Sequence, residues 1–162
     1  KKSLILGISS SGTSVDLIKA LQWGYSNDLM LGCITAQKLV EEAQKNIETL
    51  SSNDVKILHD NKEITLIDVR DIRELWKEGA IENAKHIPRG MLEFWLDPES
   101  SYYKANKIKD IKKMVLFCAL GWRSALATKS LVEMGFKNVA HVDGGFDALK
   151  KCGLKIVVKE KK

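Results

Sequence analysis

The sequence predicts an α/β protein with an open, mainly parallel sheet and helices on both faces. Three observations carry this. Ile64 to Val69, Met114 to Phe117 and Asn138 to Val142 are short apolar runs of the kind that fill buried strands. The stretches between them place apolar residues at helical spacing. The resulting order of β, α, β, loop, β, α, β, α asks for helices that cover a sheet on both sides.

In chain order, Leu4 to Ile8 reads as a short strand and Val15 to Trp23 as a helix, in a Ser-, Gly- and apolar-mixed opening. Thr35 can cap a helix with Leu39, Val40 and Ala43 inside and Lys38, Glu41, Glu42 and Lys45 outside. Ile47 to Leu50 follows as a brief strand. Ser51 and Asp54 then form a capping-box pattern for a short helix carrying Val55, Ile57 and Leu58. Asn61 turns the chain into the run Ile64 to Val69, expected at the centre of the sheet.

Glu74 to Lys77 predicts a short helix closed near Gly79, and Pro88 keeps Ile87 extended. Arg89 to Leu96 is an aromatic-rich segment expected to fold over the sheet edge, and a polar excursion runs from Asp97 to Lys113. Beyond Met114 to Phe117 comes a helix ending near Gly135, then the strand Asn138 to Val142. Asp143 to Gly145 turn the chain into a helix with Phe146, Ala148 and Leu149, closed by Gly153. Ile156 to Val158 adds a terminal strand whose lysine-rich ends suit an exposed edge.

With 162 residues, 44% of them apolar, the chain can build one compact domain with a real core. We divide it into an extension over residues 1–46, ordered in part or packed on the core, and a main domain over residues 47–162. The net charge of +5 comes largely from scattered lysines, with local groups at 104 to 113 and 155 to 162. These suit a solvated face that attracts small anions better than a nucleic-acid groove. Cys33, Cys118 and Cys152 form no CxxC pair and leave one over if two were bridged, which fits a reducing compartment. His59, His86 and His141 lack metal-ligand spacing, so no metal is expected. No run approaches the roughly 20 apolar residues of a membrane span. Ser and Gly interrupt the apolar start after its two lysines, so a secretory leader is not expected; the missing initiator Met suggests trimming. A cytoplasmic location is expected.

Chemistry concentrates in Met114 to Ser130, where Cys118 leaves an apolar run and Gly121, Arg123 and Ser124 precede a helix. A thiol attacks as its thiolate, which needs a lowered pKa and access to solvent. Ala119, Leu120, Gly121 and Trp122 are neutral, so stabilisation must come from backbone N–H groups and the helix start, with Arg123 supplementing them. Such a loop suits a thiolate, a persulfide or a bound oxyanion; the plainer alternative is a cysteine packed in the core. Cysteine phosphatases use C-x5-R, whereas Arg123 closes a C-x4-R loop. The shorter cradle fits one outer sulfur better than a whole phosphate.

Asp68-Val69-Arg70, Ala84 to Pro88 with Arg89-Gly90, Cys118 to Ser124, and His141 to Phe146 occur in that order. Together they resemble a single-domain rhodanese, a thiosulfate:cyanide sulfurtransferase-like protein, over about residues 47 to 154. The resemblance implies a rhodanese-like open sheet and a double displacement through a Cys118 persulfide. The donor would be thiosulfate or a persulfide, protein or low-molecular-weight, and the acceptor cyanide, a thiol or a protein. No cofactor is needed. It further implies that Ala119, Leu120, Gly121, Trp122, Arg123 and Ser124 line the sulfur cradle. Arg123 either draws in the anionic donor or braces the loop. Arg89 stands near the pocket mouth and contacts substrate, while Asp68 and Arg70 lock the strand end to neighbouring loops. Many thiosulfate-adapted members carry a basic or polar residue after the cysteine; Ala119 departs from this, which implies slow thiosulfate turnover. Trp122, Phe94 and Trp95 are either an acceptor wall or packing residues.

Two other functions stay open. One is a non-catalytic rhodanese-like module that binds anions or a protein; the other is a cysteine phosphatase. The oligomeric state is not legible.

Overall fold

The computed structural model describes residues 4–9, 19, 30–108 and 111–161, with side chains described from residue 36 onward except at position 108. The helix expected over Val15 to Trp23 lies outside the described residues apart from Lys19. The chain divides into two compact units, Lys1–Lys45 and Asn46–Lys162.

In the first unit, β1 (Leu4–Ser9) and β2 (Met30–Thr35) pair in parallel, from Leu4 opposite Met30 to Ser9 opposite Thr35. Helix α1 (Ala36–Gln44) follows directly and buries Val40 and Ala43, two of the three residues of its expected inner stripe. Leu39, the third, is half-buried.

The second unit is built on a five-stranded parallel sheet of β3 (Glu48–Leu50), β4 (Thr65–Asp68), β6 (Lys85–His86), β7 (Met114–Phe117) and β8 (Val139–Val142). The strand order is β3-β8-β7-β4-β6, with β7 in the middle. Helix α2 (Ser52–Asp60) follows β3 and is capped by Ser51, whose hydroxyl accepts from the Asp54 N–H at 3.2 Å. It buries Val55 but leaves Ile57 exposed to solvent. After β4 comes α3 (Ile72–Glu78), and after β6 a single 3-10 turn (Arg89–Met91) leads into α4 (Leu92–Leu96). Helix α5 (Ala105–Ile108) lies in the stretch expected to be an irregular polar excursion. Helices α6 (Trp122–Glu133) and α7 (Gly145–Lys151) follow β7 and β8.

Strand alternation divides the core in two. Val115 and Phe117 of β7 join Leu66, Ala140 and Val142 on one face, under Val55 of α2 and Phe146 and Leu149 of α7. Met114, Leu116 and Cys118 point to the other face, with Ile67 and Val69, under Leu92 and Leu96 of α4 and Ala127 and Leu131 of α6. Helices thus cover both faces of the sheet, as the sequence predicts.

One pairing has no sequence signal. Residues Ala80–Ile81 form β5 and pair antiparallel with β9 (Ile156–Val157). The terminal strand therefore joins a separate two-stranded ribbon, since two residues are too few to show a periodicity.

Candidate active site

Cys118 directly follows β7, at the carboxyl end of the central strand, where open parallel sheets gather their functional groups. Its Sγ accepts the Gly121 N–H at 3.2 Å, and the Ser124 hydroxyl lies 3.8 Å from the same atom. Ser124 also donates to the Gly121 carbonyl at 2.9 Å. Gly121, at φ +102°, turns the chain directly into α6, so the sulfur lies beside the first turn of that helix. An attacking thiol needs access to solvent, but Cys118 is only 2% exposed. The alternation that sends Leu116 to the α6 face sends Cys118 there too, and the curled loop covers it. Access is left to the loop, where Leu120 and Trp122 are exposed, Ala119 and Arg123 are intermediate, and Gly121 and Ser124 are buried.

The back of the loop is held by the turn after β8. The Phe146 N–H donates to the Cys118 carbonyl at 2.7 Å, and the Asp147 N–H to the Ala119 carbonyl at 3.3 Å. This needs a glycine at 145. Its φ is +57°, and a β-carbon there would collide with both of those carbonyl oxygens. Sequence reasoning treated Gly144-Gly145 only as a turn, because a backbone approach between positions 118 and 145 leaves no local pattern.

Arg123 is bound to Glu74 of α3, with Nη1 to Oε2 at 2.6 Å and Nη2 to Oε1 at 2.8 Å. The pair holds the Arg123 pKa above its ordinary value, and the nearby Cys118 adds to the effect. The same bond pulls the Glu74 carboxyl below its ordinary range. Glu74 Oε2 also accepts the Asp71 N–H at 3.0 Å, completing the capping box of α3. Glu74 was read only as a helix former; its position three residues after Asp71 was the available signal.

Asp68 and Arg70 form a fully buried lock. Arg70 Nε and Nη2 donate to the Asp68 carboxylate at 3.0 and 2.8 Å. Arg70 Nη1 and Nη2 also reach Glu78 at 3.1 Å and the Gly79 carbonyl at 2.9 Å. The guanidinium stacks 3.7 Å from the centre of the Phe146 ring. Arg70 thus ties the ends of β4 and α3 to the helix that braces the cysteine loop. His86 Nε2 contacts the Arg70 carbonyl at 2.9 Å.

Arg89 does not join the loop. Its Nη1 binds Glu93 at 2.7 Å and its Nη2 faces the Ser130 hydroxyl at 3.3 Å, about two helical turns along α6 from Trp122. The turn after Pro88 aims the side chain along α6. Of the two readings open for Phe94, Trp95 and Trp122, packing describes Trp95. Phe94 meets Tyr102 edge on at 6.4 Å, while Trp95 packs on the core with Lys104 and Lys107 over its ring.

Cys152 donates to the Ser52 and Leu149 carbonyls at 3.4 and 3.2 Å. His141 is buried, with Nε2 at 3.1 Å from the Thr49 hydroxyl and Nδ1 without a partner. Among the described residues, no group of three or more His, Cys, Asp or Glu could hold a metal ion, and no helix is long and apolar enough to cross a membrane.

The chain is similar to several known proteins. Rhodanese-like domain-containing protein 17 of Arabidopsis thaliana is 32% identical over 132 residues, covering 74% of this chain and 80% of that protein. The tRNA uridine(34) hydroxylase of Photorhabdus laumondii is 32% identical over 104 residues, 64% of this chain, and the chain spans only 28% of its length. A solved structure from Rhodopseudomonas palustris, described as a protein of unknown function and possible tyrosine phosphatase, has a TM-score of 0.70 at 42% identity, covering 75% of this chain and 93% of that one. The polysulfide-sulfur transferase homodimer of Wolinella succinogenes has a TM-score of 0.54 at 37% identity, covering 75% and 85%. A family model of the rhodanese-like domain matches residues 51–152, the span that holds the Asp68–Arg70 lock, the cysteine loop and the Gly145 brace, and the chain belongs to that family.

Proposed function

We propose that residues 47–162 form a sulfurtransferase unit that carries sulfane sulfur on Cys118, with residues 1–46 as an extension to it. The single observation that carries the reading is the Cys118 sulfur accepting the Gly121 N–H at 3.2 Å at the head of α6. A donated hydrogen bond and a positive helix end both suit the negative charge of a terminal persulfide carried on Cys118.

In the first half-reaction the Cys118 thiolate attacks the outer sulfur of the donor. The new S–S bond forms as the donor's bond to that sulfur breaks, and the leaving group departs with the electron pair, as sulfite from thiosulfate or as a thiolate from a persulfide. In the second, a thiolate or cyanide attacks the outer sulfur on Cys118, and the Cys118 thiolate leaves. No cofactor enters the balance. In this reading the Ala119 to Ser124 backbone lines the site of the outer sulfur, and Arg123 braces the loop through Glu74.

Because Glu74 neutralises Arg123 and the other loop side chains carry no charge, monoanionic persulfide donors should outperform dianionic thiosulfate. The similarity to a polysulfide-sulfur transferase supports a donor other than thiosulfate. The acceptor is a small thiol or cyanide, or a protein thiol reaching the loop across the exposed Leu120 and Trp122. We place this chemistry in the reducing cytoplasm, where an unbridged thiol persists.

The test is intact-protein mass after brief exposure to polysulfide or to thiosulfate, with Cys118→Ser as control. A gain of roughly 32 Da, reversed by a reducing thiol and missing from the variant, is the expected result. No adduct from either donor overturns the reading and leaves a non-catalytic binding module. Phosphatase action is a second reading, favoured by the description of the Rhodopseudomonas structure. Against it stand the C-x4-R spacing and the engagement of Arg123 by Glu74. Turnover of a phosphate monoester that is lost in Cys118→Ser would establish it.

A further inference from the structure

Two exposed apolar side chains stand on the loop that covers Cys118. Leu120 is 64% and Trp122 48% exposed, against 2% for Cys118 itself. Of the three described tryptophans only Trp122 is exposed, since Trp76 and Trp95 are half-buried. Single exposed apolar residues are ordinary on a protein surface. Two within three consecutive residues, on the loop that controls access to a thiol, make a contact patch.

Carboxylates border this patch. The Asp147 N–H donates to the Ala119 carbonyl at 3.3 Å, and Asp143 Oδ1 lies 3.9 Å from where a β-carbon on Gly121 would stand. The two aspartates thus meet the loop at the residues on either side of Leu120. Both are exposed, and among the described residues neither forms an ion pair. The arginines of this neighbourhood are already paired, Arg123 with Glu74 and Arg73 with Asp71. Lys150 and Lys151 lie in the last turn of α7, at the end away from the loop. The chain as a whole carries +5, but charges beyond about 10 Å are largely screened at 0.1 M salt, so the border of the loop is locally acidic.

We propose that Leu120, Trp122, Asp143 and Asp147 form the docking surface for a sulfur-accepting protein segment whose reactive cysteine is flanked by Lys or Arg and by an apolar residue. The apolar residue covers Leu120 and Trp122, and the basic ones meet the two carboxylates. The same basic neighbours lower the pKa of the acceptor thiol, which must attack as its thiolate. That thiolate attacks the outer sulfur on Cys118; a new S–S bond forms as the bond to Cys118 breaks, and Cys118 leaves as its thiolate with the electron pair. A free small thiol covers only the sulfur, whereas a chain segment can cover all four side chains. The acceptor role rests on sulfur transfer at Cys118; the docking preference does not.

Thiol–disulfide exchange tests the surface without any sulfur donor. Two short peptides carry a central cysteine and two leucines, one with two arginines and the other with two glutamates, each activated as a mixed disulfide with pyridine-2-thiol. The Cys118 thiolate attacks the peptide sulfur and pyridine-2-thiol is released, and digestion with mass analysis locates the label at Cys118. At low salt the basic peptide should label Cys118 about tenfold faster than the acidic one, and Asp143→Asn combined with Asp147→Asn should cut that ratio about threefold or more. The ratio cancels any change in the Cys118 thiolate fraction, and comparison of parent with variant cancels the intrinsic reactivity of the peptides. Leu120→Ser should slow both peptides about threefold and keep their ratio. Glu133→Gln, at the far end of α6 and about 17 Å from Trp122, should change neither rate. An unchanged ratio in the double aspartate variant, no slowing in Leu120→Ser, or no labelling of Cys118 by either peptide overturns the proposal. The expected labelling in a protein that gains no sulfur from polysulfide or thiosulfate would uphold the docking surface and overturn sulfur transfer instead.

Discussion

The Arg123 guanidinium meets the Glu74 carboxylate edge on, through two parallel hydrogen bonds of 2.6 and 2.8 Å. Through it the cysteine loop is fastened to the first turn of the helix that follows β4. The side chains are 42% and 27% exposed, so solvent screens much of the attraction. A double-mutant cycle of Arg123→Ala and Glu74→Gln, read by urea unfolding, should give a coupling of about 1 kcal/mol. Both single variants should also slow formation of the Cys118 adduct. A coupling near zero would mean that the pair does not brace the loop.

Gly145→Ala is expected to be much more damaging than a surface change. The new β-carbon would strike the Cys118 and Ala119 carbonyl oxygens, and the backbone lies at φ +57°. A loss of about 2 kcal/mol or more in unfolding free energy should accompany reduced sulfur loading. Gly135→Ala, at φ +95° but with open space around it, serves as the control for backbone strain without the collision.

Removing Arg70 leaves the Asp68 carboxylate buried without its partner. Arg70→Met should cost about 3 to 5 kcal/mol, and Arg70→Lys should recover only part of this, since an ammonium cannot reproduce the forked contacts with Asp68, Glu78 and Gly79. Asp68→Asn combined with Arg70→Met should be less destabilising than the sum of the two changes. Chemical unfolding of the parent, the three single variants and the double variant checks both expectations.

His141 gives stability a pH dependence. Burial lowers its pKa from the ordinary value of 6.5, so the folded protein refuses a proton that the unfolded chain accepts. Stability therefore falls as pH drops below about 6.5 and continues to fall until the folded-state pKa is passed. Glu74, also depressed, acts in a more acidic window, below 4.5. Urea unfolding between pH 7.5 and 5.5 should show a loss in the parent chain that His141→Gln reduces. Parallel curves for the two proteins would remove His141 as the cause.

The candidate site was legible as far as its local chemistry extended. Cys118, Gly121 and Ser124 announce a sharp loop between a strand and a helix, and the structure brings these three together. Asp68 and Arg70 were marked by charge at the end of an apolar run, and they form the buried lock. Arg89 was placed by motif order alone. Its direction depends on the turn after Pro88 and on Glu93, and these point it toward Ser130.

From the sequence alone came the parallel strands, the covering helices and the cysteine loop, because side-chain periodicity, caps and turn residues act over a few positions. Only the tertiary structure decided that Cys118 is covered, that Glu74 holds Arg123, that Gly145 supports the loop from behind, and that Asp143 and Asp147 border it. Each joins segments between 22 and 49 residues apart, except the covering of Cys118, which follows from the face its strand presents to α6. Contacts of that kind are fixed by strand order and register, which no short stretch of residues encodes.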